Sequence, residues 1–386
     1  MTAQRLSEVP GFAIDRVADA AGDDPEILRL ENLDTDLRPP SAALKATHEA
    51  VDNDDANSYL PFIGQRALRE AATTHVSSLS GVTYDPIKNS AITAGGTEGL
   101  LNVLLATVNP GDEVILTDPT YAGMIYRVHL AGGIPRLVPF TLIGNEWRLD
   151  LDVLAATITG KSRMIFVMNP SMPSGAVFND EEWAAISDLC DEHDLLLLYN
   201  AAMERILYDG RIYRHPASIA GMSDRVITVG SVSKEYRMIG WRVGWIVGPE
   251  ALMGDIGRVG LYNVVTPVGL TQNAAAVALR TDASGVTAAV DEWERRRDVM
   301  LRELSEFRVI PAAGGWSMLM DVGTLGLGSF VASDRLLDQG IAATPMRDWG
   351  DVNSDQYVRL VFSNEPVHRL KGLGDRVDRA FNRTTY

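Results

Sequence analysis

The segment Ser231-Val232-Ser233-Lys234-Glu235-Tyr236-Arg237-Met238-Ile239-Gly240-Trp241-Arg242-Val243-Gly244 holds several groups able to do chemistry. Lys234 follows two serines and a buried apolar run, and Arg242 lies eight residues further on, beyond Gly240. Small hydroxyls and one arginine bind a phosphate dianion, the arginine through its planar fork. A lysine in a desolvated cleft beside such a site can form a Schiff base. A solvated surface lysine is the plainer reading of Lys234 alone, but the whole string is far more specific. A second string, Thr93-Ala94-Gly95-Gly96-Thr97-Glu98-Gly99, follows a short strand and opens a helix. Glycines there let backbone N–H groups approach a phosphate at the positive helix end; an ordinary strand-to-helix turn would look the same. Arg359 lies within the apolar run Tyr357-Val358-Arg359-Leu360-Val361-Phe362. A buried unpaired charge is very costly, so this arginine requires an anion, from a ligand or from a structural ion pair.

Taken together, these residues resemble class I/II aminotransferases, the fold-type-I enzymes that use pyridoxal 5'-phosphate, over about residues 32–379. The resemblance implies an α/β fold with a mostly parallel sheet in a large cofactor-binding domain, 46–281. A smaller α+β domain would combine 1–45 with 282–386. It gives Lys234 the role of Schiff-base lysine and proton shuttle, and makes Ser231, Ser233 and Arg242 a phosphate cup, with Gly95, Gly96 and Thr97 as the second phosphate-binding turn. Tyr121, in Asp118-Pro119-Thr120-Tyr121, would stack on the cofactor ring, and Arg359 would grip the substrate α-carboxylate. Tyr59, in Asn57-Ser58-Tyr59-Leu60-Pro61, would cross to a neighbouring chain's phosphate, which implies a homodimer with shared sites.

Three positions depart from the family pattern. Asn200 stands where an aspartate usually meets the ring nitrogen. Met203 and Met172 stand where a tyrosine and an asparagine usually meet the ring oxygen. A carboxylate favours a protonated ring, as any opposite charge does, whereas a neutral amide does not dictate protonation. The expected activity is amino transfer between an α-amino acid and a 2-oxo acid. The alternative is elimination, replacement or cyclisation in specialised metabolism, on a site with a weaker electron sink. A regulatory protein on the same scaffold is disfavoured, because such regulators carry an extra basic DNA-binding domain.

The elements that must position these residues alternate. Apolar runs at 113–117, 164–168, 195–199, 226–229 and 243–247 read as strands covered on both faces. Helical patterns occupy 97–108, 121–131 and 180–193. This alternation predicts a mostly parallel sheet, with ligands at the carboxyl ends of its strands. From about Asp282 the character changes to a charged amphipathic helix over 286–304, strands at 317–322 and 357–362, and a closing helix over 367–381.

Composition narrows the classes further. The 386 residues include 35 Lys+Arg against 51 Asp+Glu, a net charge of -16, which disfavours nucleic acid and anionic membranes as main partners. One cysteine, Cys190, excludes an intramolecular disulfide framework, and the six histidines lack metal-ligand spacing; no metal is expected. The first residues lack a signal-peptide core and no apolar stretch reaches about 18 residues, so the expected location is cytoplasmic.

Overall fold

The computed structural model describes residues 6–381 apart from 8, 12, 282 and 353; the expected change of character at Asp282 therefore lies outside the described residues. An eight-stranded sheet dominates. Its strands in chain order are β1 (Ser90–Thr93), β2 (Glu113–Asp118), β3 (Ile134–Ile143), β4 (Glu146–Leu149), β5 (Ser162–Met168), β6 (Leu196–Asn200), β7 (Val226–Ser231) and β8 (Gly244–Val247). Across the sheet the order is β1-β8-β7-β6-β5-β2-β3-β4. The five strands from β7 to β3 are parallel; β8 runs antiparallel to both β7 and β1, and β4 to β3.

The central strands are apolar at successive positions because both faces are covered. Val114, Ile115 and Leu116, Met164 to Val167, and Leu197 to Tyr199 are all buried. Crossover helices supply the cover, among them Gly96–Thr107, Ala122–Leu130 and Asp180–Glu192. The last begins at a capping box: the Asn179 side chain accepts from the Glu182 N–H, and the Glu182 side chain accepts from the Asn179 N–H, satisfying two donors that a bare helix end leaves open.

Parallel strands place their carboxyl ends along one edge. That edge carries Asp118, Met168, Asn200 and Ser231, the last residues of β2, β5, β6 and β7. The ladder sets Met168 directly beside Asn200.

A second sheet is antiparallel, with β9 (Val309–Ile310), β10 (Ser317–Asp321), β11 (Thr344–Pro345) and β12 (Tyr357–Val361) in the order β9-β10-β12-β11. Arg359 sits in its middle, opposite Leu319 on one side and Thr344 on the other. The early segment Leu28–Arg29 pairs in parallel with Ile341–Ala342, which joins the N-terminal arm to this part of the chain. The amphipathic helix spans Ser284–Glu303, and its Trp293 packs edge-on against Trp316 at 4.9 Å between ring centroids.

The expected single helix over 367–381 is two, Val367–Leu370 and Leu373–Ala380. Gly372 separates them at φ +77, a left-handed backbone that ends a helix and that glycine adopts without strain. Its N–H donates to Glu303 Oε2 at 2.8 Å instead of continuing the helical ladder.

Candidate active site

Lys234 leaves the carboxyl end of β7 and points toward the N-terminal arm. Its Nζ donates to the Leu33 carbonyl at 2.7 Å and lies 4.9 Å from the centre of the Trp316 ring. Burial lowers its pKa from 10.5 to about 7; nearby Asp34 works against this shift, while Arg359 and Arg242 add to it. Near neutral pH a large share of this amine is unprotonated and nucleophilic. The chain has five lysines; Lys45, Lys88, Lys161 and Lys371 are exposed, and Lys234 is half-buried.

Beside it stands a cradle for a dianion. Ser231 and Ser233 are buried at the end of β7, and the Ser233 N–H donates to Ser231 Oγ at 3.4 Å. Arg242 takes the left-handed conformation at φ +51. Its Nη1 donates to the Ile239 carbonyl at 2.9 Å and to Ser233 Oγ at 3.4 Å. Gly95, at φ +83, caps the helix Gly96–Thr107, whose first turn contains Gly96 and Thr97. A Cβ on Gly95 would stand 2.4 Å from Arg242 Nη2, so only glycine admits the guanidinium to this turn. Gly244 faces Thr93 across β1 and β8, and a Cβ there would stand 2.6 Å from the Gly96 nitrogen. A positive helix end, two hydroxyls and an arginine with no carboxylate partner among the described residues meet here. This donor set fits a phosphate monoester.

Arg359 occupies the other side. It is fully buried, and among the described residues it pairs with no carboxylate. Its Nη2 donates to the Glu31 carbonyl and, at 3.1 Å, to Thr344 Oγ1. Its Nη1 approaches Met172 Sδ at 3.5 Å, and its Nε has no partner. The guanidinium carbon lies 4.9 Å from the centre of the Trp349 ring. Burial lowers its pKa to about 10, against the opposing influence of Glu31 and Tyr121. A buried guanidinium held by neutral groups, with its Nε–H unused, is chemically suited to accept a carboxylate. Tyr121, half-buried at the cap of helix Ala122–Leu130, is close enough to act on this charge.

Asn200 is buried at the sheet edge. Its Oδ1 accepts from the Ala202 N–H at 3.1 Å, and its Nδ2 lies 3.6 Å from Met168 Sδ. Met203 and Met172 are buried, so the three departures from the family pattern form part of the packed site wall. Tyr59 does not join the other site residues of its own chain: it is 82% exposed after the short helix Asp54–Asn57. The sequence reading did not single out Trp349 as a site residue, nor the carbonyls of Leu33 and Glu31. Trp316 likewise carries no residue-type signal of a site role in the sequence.

Fold and site together define a pyridoxal-phosphate-dependent transferase. The chain belongs to the aminotransferase class I and II family, whose model matches residues 28–369. It is 30% identical to aromatic-amino-acid aminotransferase 2 of Thermococcus litoralis over 97% of both chains. It is 32% identical to the arginine–pyruvate transaminase AruH of Pseudomonas aeruginosa, over 89% of this chain and 87% of that one. Among solved structures it resembles the N-succinyldiaminopimelate aminotransferase of Mycobacterium tuberculosis, with a TM-score of 0.90, 28% identity and 99% of both chains covered.

Proposed function

We propose that the chain moves an amino group between an α-amino acid and a 2-oxo acid, with Lys234 as the covalent anchor of the cofactor. The observation that carries this reading is the place of Lys234: a lysine with its pKa near 7, a dianion cradle on one side and the unpaired Arg359 on the other. When bound, pyridoxal 5'-phosphate supplies the electron sink and carries the amino group from one substrate to the next. The chain's own residues do the rest. Ser231, Ser233, Arg242 and the turn Gly95-Gly96-Thr97 hold the phosphate. Arg359 receives the α-carboxylate as a fork and so fixes the substrate Cα relative to Lys234. Lys234 Nζ, of which a large share is unprotonated near neutral pH, would take up and return the substrate Cα proton. Tyr121 would cover the ring, and the buried Met172, Met203, Trp316 and Trp349 would help exclude water from the site.

Asn200 sets the strength of the sink. Its oxygen accepts from the Ala202 N–H and keeps a second lone pair, so the amide can either accept or donate toward a ring nitrogen. A neutral amide does not hold a ring nitrogen protonated as a carboxylate would. This feature favours the second reading, elimination, replacement or cyclisation. Relatives over nearly the whole chain are named aminotransferases, which supports amino transfer as the first. We also assign 46–281 to the cofactor domain and 1–45 with 282–386 to the smaller one. The active form is a homodimer in this reading: Tyr59, Phe62 and Val268 are exposed on segments that pack together where Gly269 approaches the Ala56 carbonyl, and Tyr59 has no role within its own chain's site. The deciding experiment incubates the protein with pyridoxal 5'-phosphate, a panel of amino acids and a 2-oxo acid, and identifies the products. A new amino acid formed from the added oxo acid supports amino transfer; ammonia or a cyclic product without it supports the second reading.

A further inference from the structure

Asp118 ends β2, yet its carboxylate faces away from the cofactor cradle and into the other part of the chain. Its Oδ2 accepts from the Asp351 N–H at 2.9 Å and the Val352 N–H at 2.8 Å. The Thr120 N–H donates to the Trp349 carbonyl at 2.9 Å, and Tyr126 OH to the Asp348 carbonyl at 3.4 Å. Four hydrogen bonds thus tie the loop between β11 and β12 to the segment that carries Tyr121. Asp118 is 2% exposed, and its Oδ1 has no partner. A Cβ on residue 350 would stand 1.8 Å from that Oδ1, so the carboxylate fills the space of a side chain and Gly350 is required. The tied loop also contains Asp348 at φ +74, a backbone state that persists only where surrounding contacts impose it.

A buried carboxylate held by two backbone N–H groups and no cation is an expensive way to fasten a loop. This loop carries Trp349, whose ring lies against the Arg359 guanidinium. We propose that Asp118 is a positioning residue for substrate binding: it pins Trp349 onto Arg359 and so fixes the plane in which the guanidinium meets the substrate carboxylate. The inference rests on Arg359 being the carboxylate receptor. It adds that the aim of this receptor is set from the large sheet, by the strand that also leads to Tyr121.

The test measures KM and kcat for amino transfer, with cofactor content determined separately, in Asp118→Asn, Asp118→Ala and Gly350→Ala. Asn keeps the shape and one acceptor oxygen, so KM for the amino acid should rise about threefold. Ala removes the pin and should raise it tenfold or more. Gly350→Ala pushes the loop off from the opposite side and should also raise KM. In all three, kcat at saturation should stay within twofold and cofactor content should match the parent. A merely structural role would lower folded yield and kcat without this graded KM. Unchanged KM in Asp118→Asn and Gly350→Ala overturns the proposal, even if Asp118→Ala fails to fold. Arg359→Met in the same assay separates the two claims. If its KM is normal, the carboxylate assignment itself fails; if its KM rises while the Asp118 and Gly350 variants stay normal, only the positioning role fails.

Discussion

Replacing Arg359 with methionine keeps most of the side-chain volume and removes the charge. The burial that lowers its pKa from 12.5 to about 10 amounts to about 3 kcal/mol by which the folded site disfavours that charge. Its present partners are a backbone carbonyl, a hydroxyl and a thioether. An arriving carboxylate is therefore the first full counter-charge to contact the guanidinium directly. Losing one member of a desolvated charge pair costs roughly 2–5 kcal/mol of binding, or about 30-fold to several thousand-fold in affinity. Arg359→Met should weaken amino-acid binding by at least about 30-fold, read as a spectral titration of the cofactor-loaded protein. Because the free protein also sheds a poorly compensated charge, its thermal midpoint should hold or rise. Affinity within threefold of the parent, together with a lower melting temperature, would show instead that Arg359 serves the fold.

The amine of Lys234 gives a pH signature. Its pKa is depressed, so the unprotonated, reactive form is lost as pH falls through about 7. The rate at which cofactor-free protein takes up pyridoxal 5'-phosphate should rise through that pH and then level off; a midpoint above 9 would contradict the burial argument. Asn200→Asp keeps the oxygen that accepts from Ala202 and adds a negative charge, which raises the pKa of any ring nitrogen it touches. The absorbance of the bound cofactor and the product distribution should both change, and spectra and products identical to the parent's would remove Asn200 from the ring. If the Tyr59 hydroxyl donates to a neighbouring chain's phosphate, Tyr59→Phe removes a hydrogen bond to a charged group, worth about 1.5–3 kcal/mol. Cofactor binding should tighten with protein concentration in the parent and weaken roughly tenfold or more in the variant, and a monomer with unchanged cofactor affinity would refute the shared site.

The parts of the site legible in the sequence are those whose chemistry is written locally. Lys234, Ser231, Ser233 and Arg242 fall in one short string, and Gly95 to Thr97 in another, because a phosphate cradle is built from tight turns at strand ends. Arg359 was legible because a charge inside an apolar strand is anomalous wherever it occurs. The rest of its environment was not. The Leu33 carbonyl meets Lys234 across 201 positions, and the Glu31 carbonyl meets Arg359 across 328; backbone groups carry no residue-type signal. Trp349 and Trp316 resemble ordinary core residues until the fold sets them against a cation. The alternating pattern gave the parallel sheet with strand bounds within about two residues. Reading β6 as 195–199 left Asn200 just outside the strand, whereas pairing with Met168 draws it in as the last residue. The pattern over 367–381 hid the break at Gly372, because the glycines of a periodic segment, here Gly372 and Gly374, are compatible with a continuous helix until their φ is known.

The central claim is that Lys234 is the cofactor's covalent anchor. Borohydride reduction of the cofactor-loaded protein makes a cofactor–lysine bond permanent, and peptide mapping by mass spectrometry then locates it. With only five lysines in the chain, four of them exposed, the result is unambiguous. The cofactor should be found on Lys234 alone, at close to one per chain, and Lys234→Ala should carry none. Label distributed over Lys45, Lys88, Lys161 and Lys371, or stoichiometric label retained by Lys234→Ala, would contradict the account.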